Sequence, residues 1–334
     1  MPACPRQAVI IKNILTDYAH SIGLKINFHK STLIPINLDA ELANYIARIF
    51  GCSIGSMPFT YLGLPLGTSR PTIQDFMPLV SKVERNLTST LSLMSYAGKL
   101  TWLNTSVTSL LIYAMCTLKF PPKLIAMLDR IRRRCLWIKK TDQGEKCNSL
   151  AAWDMVCKPK NRGGLGVLNL KIKNEALLMK FLHKFYNKLD IPWVQLTWDT
   201  YYHQKIPHAM DPVGSFWWRD VLKLTPTFRG ISRINIVCGT TALLWKDLWA
   251  DQLLQESHPR AFSHATNEDV SVKDFLGIMA LRETFHLPLS PQAFEEIKAL
   301  QLDTTHMQPM SSVDDVWHYP WGDADYTSKQ FYNF

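Results

Sequence analysis

The residues of this chain that could do chemistry are concentrated in one block. From Lys119 to Lys188 there are 17 Lys and Arg against 5 Asp and Glu, a local excess of 12 positive charges, whereas the remaining residues hold 20 basic and 23 acidic side chains. All of the net charge of +9 therefore comes from that block. A polyanion is the natural counterpart of such a concentration, and nucleic acid is the commonest one; the competing reading is a solvated basic surface that serves solubility. Arg130, Arg132, Arg133 and Arg134, then Lys139 and Lys140, then Lys171, Lys173, Lys180 and Lys184 are the candidates to meet phosphate. Successive helical residues point about 100° apart, so the four arginines cannot share one face. One or two would reach phosphate while the rest point to water.

Other chemistries are thinly represented. The single Asp-Asp pair, Asp314-Asp315, sits in Val313-Asp314-Asp315-Val316-Trp317 and reads as a solvated acidic pair. Seven cysteines, at 4, 52, 116, 135, 147, 157 and 238, never fall as Cys-x-x-Cys, and ten histidines never fall as His-x-x-x-His. That pattern points to reduced thiols of an intracellular protein, nuclear or cytoplasmic, with no disulfide frame and no nameable metal ligand set. Gly163-Gly164-Leu165-Gly166 lacks the Lys-Ser/Thr of a phosphate loop and the spacing of a dinucleotide fingerprint, so it reads as a turn. The tryptophans of the C-terminal third could stack bases, but core packing is the expected use of most.

The elements that must position these residues change character along the chain. Residues 5–22 carry Val9, Ile10, Ile14, Leu15 and Tyr18 at helical spacing and stop at Gly23. Leu24, Ile26 and Phe28 alternate with Lys25 and Asn27 as in a half-buried strand, and Ser31 to Ile36 is its expected partner. Asp39 predicts a helix N-cap for residues 40–50. Tyr61-Leu62-Gly63-Leu64-Pro65-Leu66-Gly67 reads as a short extended segment entering a tight turn. Beyond Thr72 the period becomes helical: one helix through Phe76, Val80 and Val83, a second over 98–119, and a third from about Lys123 to Trp137, set off by Pro121-Pro122. Residues 138–168 look irregular, 172–188 form a basic helix, and helix returns near 292–301. No signal peptide is expected after Met1-Pro2-Ala3-Cys4-Pro5-Arg6. The most apolar run, Val107 to Leu118, is too short to span a bilayer, so no membrane association is expected.

Several of these stretches resemble the reverse transcriptases of plant non-LTR (LINE-type) retrotransposons. Gly23-Leu24-Lys25-Ile26-Asn27-Phe28-His29-Lys30-Ser31 is similar to the family's palm motif D, and Tyr61-Leu62-Gly63-Leu64-Pro65-Leu66 to its primer-grip segment. Trp153, Cys157, Pro159-Lys160, Gly163-Gly164-Leu165-Gly166 and Asn174-Glu175-Ala176-Leu177-Leu178-Met179-Lys180 resemble a segment after the thumb. Gly239, Thr241 and Trp245-Lys246-Asp247-Leu248-Trp249 resemble a later element. The resemblance implies an α+β, mostly α architecture. A small incomplete palm remnant (residues 1–70) would precede a helical thumb bundle (71–140), a basic connector and helix (141–195), and a Trp-rich region (196–334) ending at the start of a zinc-binding region.

The resemblance also implies roles. Lys30 would be the general acid that protonates departing pyrophosphate in an intact enzyme. Tyr61, Leu62 and Gly63 would position the primer end. The partners would be RNA, DNA or an RNA–DNA duplex. The family's Mg²⁺ chemistry needs an aspartate of an earlier palm strand and a Tyr/Phe-Ala-Asp-Asp hairpin, and these residues are not in the sequence. A fragment without polymerase activity is therefore expected, with no cofactor of its own. The alternatives are an active RNA-directed DNA polymerase within a longer product, or a decayed or domesticated helical interaction protein. A palm lacking its central strands would leave the edge of the strand around Leu24–Phe28 open, so residues 1–70 are expected to be less stable than the helices after Thr72.

Overall fold

The computed structural model describes residues 4–88, 94–137, 149–202, 206, 213–249, 252–277, 281–305, 314–322 and 325–334. The chain divides into two compact units, Met1–Pro78 and Leu79–Phe334. It is α+β and mostly α.

The first unit is built on two helices, α1 (Pro5–Ser21) and α2 (Ala40–Phe50), packed against each other. Ala8 and Ala19 are the buried residues of α1, and α2 buries Ala43, Ile46 and Ala47. The face expected to be buried on α1 stands outside, with Ile10, Ile14 and Tyr18 each more than half exposed. Gly23 follows α1 at φ +72°, the left-handed geometry a helix end requires. Asp39 caps α2 as its position predicts, accepting from the N–H groups of Glu41 and Leu42 at 2.9 and 3.3 Å.

The expected strand over Leu24–Phe28 does not form. Asn27 turns the chain instead: its side-chain oxygen accepts from the Lys30 N–H, and Phe28–Lys30 close into a 3₁₀ turn. Phe28 then packs toward Phe50, ring centroids 6.3 Å apart, while Leu24 is left exposed. The open-edge argument for instability therefore has no strand to act on. Strand β1 (Thr32–Leu33) pairs in parallel with β2 (Ser53–Ile54), and α2 makes the crossover between them. The Tyr61–Gly67 stretch belongs to a hairpin of β3 (Phe59–Tyr61) and β4 (Leu64–Leu66). Its two turn residues, Leu62 and Gly63, both have positive φ, +50° and +81°.

The second unit begins in α3 (Met77–Thr88). Helices α4 (Tyr96–Trp102) and α5 (Thr108–Met115) form one rod through a π-helical turn at Leu103–Val107. There the Thr108 hydroxyl donates to the Leu103 carbonyl, five residues back, at 2.9 Å. Leu103, Val107, Leu111 and Met115 form its buried stripe. Helix α6 (Pro122–Trp137) starts at the proline pair and buries Leu124, Leu128 and Leu136. The short α7 (Trp153–Cys157) precedes α8 (Leu170–Tyr186), which joins the helices to the C-terminal region. Its buried Asn174 accepts from the Phe120 N–H and donates to the carbonyls of Met115 and Leu118, all at 2.8–2.9 Å. These bonds satisfy backbone groups where α5 ends.

Then follow α9 (Pro192–Tyr201), α10 (Phe216–Leu222), α11 (Thr225–Gly230) and strand β5 (Arg233–Asn235). Helices α12 (Leu254–Ser257), α13 (Pro259–Ser263), α14 (Val272–Gly277), α15 (Leu281–Thr284) and α16 (Pro291–Thr305) lead to β6 (Val316–His318), antiparallel to β5, and to α17 (Ser328–Asn333). One apolar cluster runs from Leu178 of α8 to Tyr326 and contains Trp218, Trp245, Trp249 and Trp317. The tryptophans are used as core, as composition suggested. Among the described residues no helix is long and apolar enough to cross a membrane.

Candidate nucleic-acid interface

Three of the four clustered arginines share an outer face. At about 100° per residue, Arg130, Arg133 and Arg134 fall within roughly a 100° arc of α6, and Arg132 lies opposite. The three are exposed and Arg132 is fully buried. Its Nη1 donates to Asp129 at 2.7 Å, its Nη2 donates to the Leu168 carbonyl at 2.6 Å, and the guanidinium lies 5.4 Å from the Trp153 ring. Arg132 thus ties α6 to the segment that enters α8, and is not available to phosphate.

The Arg133 guanidinium covers the same tryptophan from outside, at 5.5 Å. Beyond Trp153 the chain turns through Lys158-Pro159-Lys160-Asn161-Arg162-Gly163-Gly164, where Lys158, Lys160 and Arg162 are exposed. This turn closes through Gly164, whose N–H donates to the Pro159 carbonyl; a Cβ at Gly164 would stand 2.0 Å from the Lys158 carbonyl oxygen. The Gly163-Gly164-Leu165-Gly166 segment is a turn, as expected, and it presents cations instead of cradling an anion. Sequence reading singled out the glycines of this motif and left its three cations out of the site. Their signal is a cation run framed by Pro159 and Gly163-Gly164.

The lysines of α8 divide. Lys171 is exposed at its first turn, while Lys173, Lys180 and Lys184 share a strip about 180° away and are half-buried. Lys173 lies over the Tyr332 ring at 5.8 Å, and burial pushes its ammonium below the usual lysine range. Lys180 lies over Phe181 at 5.2 Å. The structure therefore does not gather these three with the α6 arginines. Lys139 and Lys140 lie outside the described residues. In the first unit Lys30 is exposed in its 3₁₀ turn, and Tyr61, Leu62 and Gly63 are exposed at the hairpin tip.

The acidic pair proves to be two different residues. Asp314 is half exposed and faces Lys188 at 3.4 Å. Asp315 is buried. Its Oδ1 accepts from the N–H groups of Val237, Cys238 and Gly239 at 2.8–3.0 Å, and its Oδ2 from the N–H and hydroxyl of Thr241 at 2.9 and 3.0 Å. Burial by itself raises its pKa, but these donors outweigh it and hold the carboxyl below the ordinary carboxylate range. Reading the pair as solvated was wrong for Asp315, because backbone donors 74 to 78 residues away leave no local trace in sequence.

The neighbouring Trp245–Trp249 motif is likewise internal. Asp247 pairs with the buried Arg229 and also accepts from the Leu243 N–H at 2.6 Å. Burial works against the Arg229 charge, but Asp247 more than offsets it and raises the guanidinium pKa. Among the described residues no three His, Cys, Asp or Glu side chains gather as metal ligands. Asp315 is already saturated by backbone donors, so the acidic pair does not fit the two-Mg²⁺ clamp of a polymerase.

No family model matches the chain. It is 30% identical over 132 residues, 38% of its length, to "Putative ribonuclease H protein At1g65750" of Arabidopsis thaliana. That match spans 21% of the relative, so the matched part of the chain corresponds to about a fifth of that protein.

Proposed function

We propose that this chain is part of a LINE-type retroelement protein of the reverse-transcriptase family, and that it holds RNA, DNA or an RNA–DNA duplex without polymerase chemistry of its own. The observation that carries this reading is the exposed cation surface of Arg130, Arg133 and Arg134 on α6 with Lys158, Lys160 and Arg162 in the adjoining turn. Exposed cations of this kind suit a polyanion whose sequence is not read. Similarity to a plant protein named for ribonuclease H supports a partner of this class. In the complete polymerase Lys30 would face the departing pyrophosphate, and the Tyr61–Gly63 hairpin tip the primer end.

Filter binding of the full chain to an RNA–DNA duplex across a salt series tests this. Affinity should fall steeply with salt, and R130E/R133E/R134E should both weaken binding and flatten the salt slope by about 0.7–0.9 per lost phosphate contact. Unchanged affinity in that variant would remove the assigned surface. Primer extension with Mg²⁺ should give no incorporation above background.

A further inference from the structure

Two tryptophans of the second unit lie at the edge of its core instead of inside it. Trp193 of α9 and Trp217 of α10 pack against the core from outside and stay half-buried, as does Phe181 of α8. Together with Thr197 and Tyr201 they line a cleft of about 340 Å³, near the low end of the roughly 300–1,000 Å³ typical of small-molecule sites. Trp193, Thr197 and Tyr201 recur every four residues and so form one strip of α9. The Trp217 ring is fixed by its indole N–H, which donates to the Thr117 carbonyl at 2.6 Å. The groups a ligand would touch are the walls themselves: Tyr201 is 43% exposed, and the other three rings keep part of their surface open to solvent.

The angles between the rings select a shape. Phe181 and Trp217 stand at 84° with centroids 5.0 Å apart, Phe181 and Trp193 at 70° and 6.0 Å, and Trp193 and Trp217 at 87° and 6.3 Å. The three planes are thus close to mutually perpendicular. A flat aromatic ring laid along one of them meets the other two edge-on, and both arrangements are favoured, whereas an aliphatic chain would gain contact area alone. Charge narrows the class further. Lys180 holds its ammonium 5.2 Å from the Phe181 centroid, and among the described residues that line the cleft there is no carboxylate. A cationic ligand would meet a like charge, and a bare anion would meet apolar walls. A flat neutral ring that carries its negative charge outside the cleft suits both conditions. We propose that this cleft takes an unpaired base of a single strand, stacked on these rings, with its phosphate beside Lys180. The choice of a base over the aromatic side chain of an acidic peptide rests on the polynucleotide reading above.

Fluorescence anisotropy of the full chain with two labelled single-stranded octamers, one of thymidine nucleotides and one abasic throughout, tests the idea, with an RNA–DNA duplex as control. The octamers carry the same phosphates, so their difference isolates the bases and needs no variant. The thymidine octamer should bind about tenfold or more tighter. Trp193→Leu keeps an apolar side chain but removes the indole plane. It should weaken the thymidine octamer about fivefold or more while leaving the abasic octamer and the duplex unchanged. Tyr201→Leu should act in the same direction to a lesser extent. Lys180→Gln should weaken both octamers alike and flatten their salt slope by about 0.7. Circular dichroism melts of the three variants should match wild type. Equal affinity for the two octamers while the duplex still binds would overturn this proposal alone, whereas no binding of any nucleic acid would overturn it together with the polynucleotide reading. Thymidine-octamer affinity that survives Trp193→Leu would place the stacking elsewhere and overturn it too. Displacement of both octamers by an Asp-Trp-Asp peptide, with no preference between them, would give the cleft to a peptide instead.

Discussion

The two units break the rule of apolar inside and charged outside in opposite ways. In the first, large apolar side chains stand outside: Ile10, Ile14 and Tyr18 on α1, Leu24 after it, and Leu62 at the hairpin tip. In the second, charges stand inside: Arg132, Arg229, Asp247 and Asp315 are all nine-tenths or more buried. The difference lies in what each exception requires. An exposed leucine needs no partner, whereas a buried charge is costly unless it is paired or hydrogen-bonded, as each of these four is. The buried charges should therefore be the stiff points of the molecule and the exposed apolar residues its tolerant ones. All eleven tryptophans lie at or beyond Trp102. Tryptophan fluorescence during urea unfolding therefore reports the second unit alone.

The largest effect should come from Asp315→Ala. It strands four backbone N–H groups and the Thr241 hydroxyl in the interior, a loss of about 3–5 kcal/mol by analogy with broken buried charge networks. A fluorescence-detected midpoint within error of wild type would mean that water can replace the carboxylate, and the contrast between units would dissolve.

Arg132→Met should be next, at about 1–3 kcal/mol, because it removes the link from Asp129 to the Leu168 carbonyl while keeping most of the side-chain volume. Arg133→Met, one residue along, should change stability by no more than about 0.5 kcal/mol. Binding to duplex should rank them the other way. If both arginines behave alike in either assay, the division of α6 into an inner and an outer face is wrong.

These residues also mark where sequence was legible. Local signals were reliable: Asp39 as a cap, Gly23 after α1, Pro121-Pro122 before α6, and the period of Leu124 and Leu128 are written within a few residues of their effects. Arg132 and Asp315 were not legible as buried, since their partners lie 36 residues away at Leu168 and 74 to 78 away at Val237–Thr241. The α1 stripe was misread for the converse reason. Spacing marks a face, but the side of α1 that is buried carries Ala8 and Ala19 instead of Ile10, Ile14 and Tyr18. At Leu24–Phe28 alternation had no neighbouring strand to pair with, and Asn27 settled the matter locally.

Acid should sharpen the comparison at a smaller scale. His183 is buried, with Nδ1 within 2.8 Å of the Tyr319 hydroxyl. Burial pushes its pKa down, Asp325 opposes this and Lys184 reinforces it. A folded pKa below the unfolded value of about 6.5 means that the folded state binds fewer protons. Its contribution is complete above that pH and is lost as pH falls through about 6.5 toward the folded pKa. Asp315 is depressed in the same sense, but its contribution is lost only once pH drops below about 3.9. The fluorescence midpoint should therefore begin to fall below pH 6.5, and His183→Gln should remove that first decline while leaving the later one. A single decline starting near pH 4 in wild type would show that His183 is effectively solvated.

The smallest effect belongs to the first unit and tests tolerance directly. Leu62 holds φ +50° and is 70% exposed, a conformation that costs a side-chain-bearing residue about 1–2 kcal/mol and that asparagine adopts more readily. It stands first in a two-residue hairpin turn, followed by Gly63 at +81°, the position where Asn-Gly is preferred. Leu62→Asn should therefore stabilise the hairpin by up to about 1 kcal/mol, read as slower hydrogen exchange over residues 59–66. If leucine stands there only because nothing forbids it, duplex affinity will not change. If the apolar side chain meets a sugar or base at a primer end, the same variant will be more protected yet bind duplex less tightly. Stability and affinity moving in opposite directions would then assign the exposed apolar tip to the partner.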